Sequence, residues 1–456
     1  MTQPNVNAYK GALAMAIIYQ TKRKPHTKRQ MQLQITALDH LGQGIARHQE
    51  HIIFVPGALP QENVHVHITD SKKSFAKAKL TRVLTPSEFR QAPPCQHVAD
   101  CGGCQLQHAT PTQQLLWKQQ AVDRLLQHQL QLTELPWLPP IESPATGYRR
   151  KARLGVWYQQ SRRQFQIGFR QQGDFRIQPL QDCLVLSPVI RPVFRRVTPV
   201  LKQLQQGRSI THLELIDAND KAYVIVRHTQ PLPADDMKRL IECWPDACWM
   251  GEANSGEFTS WHTDDIALNY CLAEQRLRLE FAPDDFIQIN ASVNQIMVNT
   301  ALEWLDIQPQ DRVLDLYCGI GNFSLPMAQQ AAQLVGVEGV SKMVQRAATN
   351  AKLNGLNHAD FVQADLHLPW PTTGWSQASY QKVLLDPARA GAEGCVQQLG
   401  QLGAERVLYV SCNPESLARD AAKLMAQGYR LTRLKAIDMF PYTRHLEVMA
   451  LFCLQK

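Results

Sequence analysis

From Asp285 to the C-terminus, short apolar runs alternate with helical stretches, and this alternation restricts the possible folds more than any other feature. Strands are expected at 312–317, 334–338, 382–385, 406–411 and 447–453. Helices are expected at 291–305, at 341–353 with Ser341 as N-cap and Asn354-Gly355 as stop, and at 416–427 before Gly428. Successive parallel strands need a crossover, and a helix is the usual one. The pattern therefore predicts an α/β, Rossmann-like doubly wound sheet with ligands at the carboxyl ends of its strands.

The run Val313-Leu-Asp-Leu-Tyr-Cys-Gly-Ile-Gly-Asn322 is an apolar strand leading into a glycine loop, where missing side chains let a backbone approach a ligand closely. Glu338 closes the next strand, 23 residues after Asp315, where a carboxylate can accept both hydroxyls of a ribose. Asp365 would follow the strand after that, near an adenine. The loop lacks full dinucleotide spacing, and no P-loop Lys-Ser/Thr follows it, so S-adenosylmethionine fits better than NAD or ATP. In Val383-Leu-Leu-Asp386-Pro-Ala-Arg389, an acid at a strand end faces the same crevice; the alternative for Asp386 is a turn-forming Asp-Pro.

Arg406-Val-Leu-Tyr-Val-Ser-Cys-Asn-Pro414 presents Cys412 at a strand tip, just before a helix. Most free cysteines are small buried hydrophobes, but a polar turn and a helix N-terminus are both expected to favour a thiolate here. Uracil C5 is a poor nucleophile until a thiolate adds to C6 and makes the ring an enolate. After C5 takes a methyl group its proton must leave, which needs a base. Glu447, entering an otherwise apolar final strand after the turn Asp438-Met-Phe-Pro-Tyr-Thr443, is the candidate, and burial should raise its pKa.

Upstream, 456 residues are too many for one core, and two or three domains are expected. Residues 1–90 hold 13 Lys+Arg against 5 Asp+Glu, a balance of +8 that equals the whole chain's formal charge. This basic excess marks a polyanion-binding end. Residues 1–28 read as a flexible basic arm, and the alternating runs of 29–90 as a small OB-like β-barrel with Lys72, Lys73, Lys77 and Lys79 on its surface. Residues 91–284 form a central α+β domain with a helix near 113–129, and 285–456 form the catalytic domain. No apolar run approaches the ~20 residues of a membrane span. No cleavage site follows the apolar patch 12–18, so neither a signal peptide nor a membrane partner is expected. Eleven irregularly spaced cysteines indicate a cytoplasmic chain without a disulfide framework.

Cys95-x5-Cys101-Gly-Gly-Cys104, with Cys183 as a remote fourth, is hard to explain as packing. Structural zinc prefers paired Cys-x2-4-Cys units, whereas an uneven triplet plus one resembles [4Fe-4S] ligation; zinc remains the alternative.

Together these motifs resemble the RNA uracil-5-methyltransferase family, from about residue 30 to the C-terminus. Leu38-Asp-x2-Gly42-x-Gly44-Ile-Ala-Arg47 and Val55-Pro-x3-Pro60 resemble a TRAM domain, which that family's tRNA-specific branch lacks. The resemblance implies cofactor contacts from Gln288, Tyr317, Asn322, Glu338, Asp365 and Asp386, with Cys412 as nucleophile and Glu447 as base. It further implies a [4Fe-4S] cluster on Cys95, Cys101, Cys104 and Cys183. The expected partner is 23S ribosomal RNA rather than DNA, met by a monomer. Ala388 replaces the second proline found in many relatives. The competing expectation is a non-catalytic RNA-binding or ribosome-assembly factor, against which the complete set Cys412, Glu447, Asp386 and Glu338 argues.

Overall fold

The computed structural model describes residues 30–262 and 268–455. The expected basic arm lies outside the described residues.

Six strands, Gln30–Gln34, Ala37–Leu38, Gln43–His48, His51–Pro56, Asn63–Ser71 and Phe75–Thr85, make the N-terminal sheet, with the first pairing the fifth and the sixth lying between fifth and fourth. Period-two alternation turns Val64, Val66, Ala76 and Ala78 inward and leaves Lys77 and Lys79 in solvent. Gly44 is required by closeness: a Cβ there would stand 2.9 Å from the Ala58 carbonyl oxygen. Buried Glu62 accepts from Arg90 Nη2 at 2.8 Å, tying the barrel to the segment that leaves it.

The central sheet runs Ile177–Pro179, Gln164–Arg170, Lys151–Gln159, Ile210–Ala218, Lys221–His228, Cys248–Glu252, Phe258–Ser260. Helices Val193–Leu201 and Ala234–Cys243 cover it, over a core that includes Leu154, Leu213, Val224 and Trp249.

The catalytic sheet has eight strands, in the order Ala359–Gln363, Gln333–Glu338, Arg312–Leu316, Lys382–Leu385, Arg406–Ser411, Glu447–Leu454, Tyr429–Ile437, Trp137–Ile141. The first five are mutually parallel, and Glu447–Leu454 runs antiparallel between its neighbours. Chain order reverses between Arg312–Leu316 and Lys382–Leu385, which opens a crevice at their carboxyl ends. Both faces are buried: Leu384 and Leu408 pack on one side, Val383, Leu385, Val407 and Tyr409 on the other. This explains why these strands read as continuous apolar runs.

Three sequence expectations change. The cap of helix Ser341–Leu353 is Val340, whose extended backbone precedes the helix; Ser341 is already in it. The helix expected near 113–129 spans Pro111–Leu130 and packs Leu115, Val122 and Leu126 onto the catalytic sheet instead of the central domain. Trp137–Ile141 then adds the outermost strand of that sheet, pairing with Tyr429–Ile437.

Candidate active site

The strand Arg312–Leu316 ends at Tyr317, which holds a left-handed φ of +64°, followed by Gly319 at +56° and Gly321 at +97°. The amides of Tyr317 and Cys318 both donate to the Val337 carbonyl, at 2.9 and 3.2 Å, folding the loop over the neighbouring strand end. A Cβ at Gly321 would lie 2.1 Å from Leu325 Cδ1, so the loop closes on the following helix only with glycine there. Glu338 is pinned at its strand end by the amides of Gly319 (3.2 Å) and Val340 (2.9 Å). A carboxylate has about four acceptor sites, so two remain free to meet hydroxyls.

A cavity of 430 Å³ opens here, lined among others by Gln288, Tyr317, Asn322, Glu338, Asp386, Cys412 and Glu447. Asp365 is not among its lining side chains; it follows the strand Ala359–Gln363 and accepts from the His367 amide at 2.9 Å. Several supporting residues escaped the sequence reading. Asn322 is held by Tyr270 Oη and by a reciprocal amide pair with Asn294, each at 2.9 Å. Arg150 lies 4.4 Å from the Tyr270 ring centroid and donates to the Gln288 carbonyl at 2.7 Å. Asn290 caps the helix Ala291–Leu305 at the Val293 amide, and its position after Gln288 was the one local signal available. Asp315, buried beneath the loop and bonded to Ser324, has its carboxyl pushed up to about 8, chiefly by burial.

Cys412 leaves the tip of Arg406–Ser411 half-buried, and Asn413 caps the helix Pro414–Ala426 while donating to the Arg389 carbonyl at 2.9 Å. Contrary to the expected thiolate-favouring environment, the Cys412 thiol is raised above its ordinary value. Burial is the first cause, with Glu447 and Asp386 adding to it; Arg389 opposes them. Lost hydration and two carboxylates thus outweigh Arg389. Ser411 pairs with Val448 across the antiparallel ladder, so Glu447 enters at the edge where Cys412 leaves. Glu447 is buried, one carboxylate oxygen has no partner, and burial followed by Asp386 raises it to about 8. Burial also raises Asp386, to about 7.

On its other side Cys412 faces a second cavity, of 210 Å³, shared with His40 of the barrel, Lys118, Arg389 and Arg444. The buried Lys118 ammonium meets Asp438 Oδ1 at 2.6 Å and donates to the His445 carbonyl at 3.2 Å. That pair fixes the turn that delivers Glu447.

Cys95, Cys101, Cys104 and Cys183 line one 180 Å³ cavity. Burial leads in raising Cys104 to about 11 and Cys183 to about 12, with neighbouring thiols contributing. Among the described residues, no three His, Cys, Asp or Glu side chains close around one point as ligands of a single ion do.

A switch-point cavity ringed by strand-end acids, beside a thiol and a buried carboxyl, defines a transferase that uses a nucleoside cofactor. Residues 112–365 and 374–455 match the tRNA (Uracil-5-)-methyltransferase family, and this chain belongs to it. Residues 28–81 match the TRAM domain. The chain is 42% identical over 449 residues to the 23S rRNA (uracil(1939)-C(5))-methyltransferase RlmD of Klebsiella pneumoniae (strain 342), covering 96% of this chain and 99% of that one. It shares its fold with the Pyrococcus abyssi tRNA (uracil-54, C5)-methyltransferase, solved in complex with S-adenosyl-L-homocysteine. There the TM-score is 0.70 at 21% identity, covering 92% of this chain and 100% of that one. Among the described residues no helix is long and apolar enough to cross a membrane.

Proposed function

We propose that this chain methylates C5 of a uridine in 23S ribosomal RNA, at the position its 42%-identical relative is named for, using S-adenosylmethionine. The observation that carries this reading is the meeting of Cys412 and Glu447 on one cavity wall with Glu338 and Asp386.

The cavity fits the cofactor: Glu338 is oriented to accept two hydroxyls, Asn322 is locked by its neighbours, and the glycine loop leaves room for a nucleoside. Gln288 and Tyr317 would contact it as well, with Asp365 placed farther out. When bound, S-adenosylmethionine supplies an electrophilic methyl group and leaves as S-adenosylhomocysteine. Cys412 releases its proton to solvent and its sulfur bonds to C6 of the uracil, moving the ring's electron pair to C5 and O4 as an enolate. C5 then bonds the methyl carbon. Glu447, having released its own proton to solvent, takes the C5 proton; the electrons of that C–H bond restore the C5–C6 double bond and expel the Cys412 thiolate. A stacked helix hides C6, so the uridine enters unstacked through the cavity beside Arg389.

The four cysteines around one cavity, an uneven triplet plus one remote residue, would hold a [4Fe-4S] cluster, with zinc as the alternative. The cluster would hold the loop 95–104 against Cys183. Anaerobically purified protein should be brown, with a broad band near 400 nm (roughly where iron–sulfide charge transfer falls). Colourless protein carrying zinc contradicts it.

Mass mapping of 23S rRNA from cells lacking the protein tests the function. One uridine should lose its C5 methyl group, and wild-type protein but not Cys412→Ala should restore it. An unchanged methylation map, or rescue by Cys412→Ala, refutes the proposal.

A further inference from the structure

A large groove lies outside the cofactor site. It has a volume of 940 Å³, is open to solvent, and runs between the cysteine loop and the central sheet. Arg153, Arg170 and Arg444 line it, all exposed. The only acid in its lining, Asp174, is already engaged by Arg176 at 2.7 Å. Phe175 stands on its rim with 87% of its surface exposed, contributing nothing to any core.

The loop is built to hold the ring out. Gly173 takes a left-handed φ of +71°, the Gln171 amide donates to the Arg176 carbonyl at 2.8 Å, and Asp174 accepts from the Arg176 amide at 3.1 Å. Two further bonds of 2.9 Å, Gly102 amide to Arg170 carbonyl and Gln172 amide to Asp100 carbonyl, fasten it to the cysteine loop. The groove also leads to the chemistry, because Arg444 lines both it and the cavity on whose wall Cys412 sits.

We propose that this groove holds the single-stranded RNA flanking the target uridine, with a base stacked on Phe175 and phosphates on Arg153 and Arg170. Basic grooves with an aromatic platform bind single strands in this way, since every base has a π-face and every linkage a charge. An open groove with three guanidiniums and a presented ring suits this occupant better than a duplex, which offers no free base. The proposal rests on the RNA-methyltransferase reading and assigns Phe175 as a positioning residue for its substrate.

The test uses the full-length protein and the shortest 23S rRNA fragment that the wild type methylates. Phe175→Ala should raise the KM for that fragment about tenfold, the loss of one stacked base. Its kcat at saturating RNA and its S-adenosylhomocysteine affinity should be unchanged, and Phe175→Trp should restore the KM. Arg153→Gln with Arg170→Gln should flatten the salt dependence of log K by about 1.4, about 0.7 for each phosphate on a single strand. Unchanged KM and salt slope in an active background would overturn the groove. Should the wild type methylate nothing, the methyltransferase reading fails instead. Binding of single-stranded 23S rRNA fragments, read by fluorescence anisotropy in the same variants, then decides the groove alone.

Discussion

Negative charge on Glu447 opposes the thiolate of Cys412 across the cavity wall they share, second only to burial among the causes that raise the thiol. Burial leads in raising both groups, the Cys412 thiol above its ordinary value and the Glu447 carboxyl to about 8, so the proposed roles of nucleophile and base require each to release a proton first. Replacing Glu447 with glutamine should separate their roles. The Cys412 thiol should react faster with iodoacetamide at pH 8, because the opposing charge is gone. Meanwhile kcat should fall about 10²–10⁴-fold, the usual worth of a positioned general base. RNA-linked protein should build up on denaturing gels, since the C5 proton stays in place and the thiolate is not expelled. Slower alkylation, or product release at the wild-type rate, would contradict the assignment.

Three carboxyls on this sheet edge keep their protons on folding: Asp315 and Glu447 to about 8, and Asp386 to about 7. In the unfolded chain they ionise near 3.8, 4.5 and 3.8. Between those limits the folded state binds more protons than the unfolded, so stability falls as pH rises from about 4 to about 8. Asp315→Asn should flatten that decline by up to about 1.4 kcal/mol per pH unit within the window, measured by urea unfolding at successive pH values. A variant whose slope equals that of the wild type would show that Asp315 ionises freely in the fold.

Gly321→Ala meets both a φ of +97° and a Cβ position 2.1 Å from Leu325 Cδ1. Backbone strain of this kind costs on the order of 1–3 kcal/mol, and relief requires moving the loop that lines the cofactor cavity. S-adenosylhomocysteine affinity should fall about 5- to 150-fold by calorimetry, that strain expressed as a binding ratio. Wild-type affinity would show that the loop relaxes without disturbing the cavity.

Lys118 and Asp438 form a buried ion pair that anchors the turn before Glu447. Lys118→Met leaves a buried carboxylate without its partner and should destabilise the protein by about 3–5 kcal/mol in denaturant melts. The double variant Lys118→Met with Asp438→Leu should recover much of that loss, because the lone charge is then gone. No recovery would mean that the His445 carbonyl contact matters more than the charge.

What the sequence discloses is local. Arg406–Ser411 is a strand over the residues its apolar run predicts, and Asn354 and Gly355 end their helix, the latter with a φ of +73°. Glu447 could be anticipated because a charge in an apolar strand demands a reason. Tyr429–Ile437 was missed because Arg430, Thr432, Arg433 and Lys435 interrupt its apolar positions. Trp137–Ile141 was missed because Pro139 and Pro140 argue against a strand, yet the sheet edge tolerates them. Tyr270, Asn294 and Arg150 join the site only through tertiary contacts, which no local spacing encodes. The raised Cys412 thiol was misjudged for the same reason: its helix is adjacent in sequence, while Asp386 and Glu447 reach it only through the sheet.

Covalent attack by Cys412 is tested most directly with a 23S rRNA fragment carrying 5-fluorouridine at the target position, incubated with S-adenosylmethionine. Fluorine cannot leave as a proton does, so the methylated adduct should persist, and mass spectrometry of the digested complex should place the nucleotide on Cys412. A substrate that is methylated or bound without any protein–RNA bond, or a bond to another residue, would contradict the mechanism.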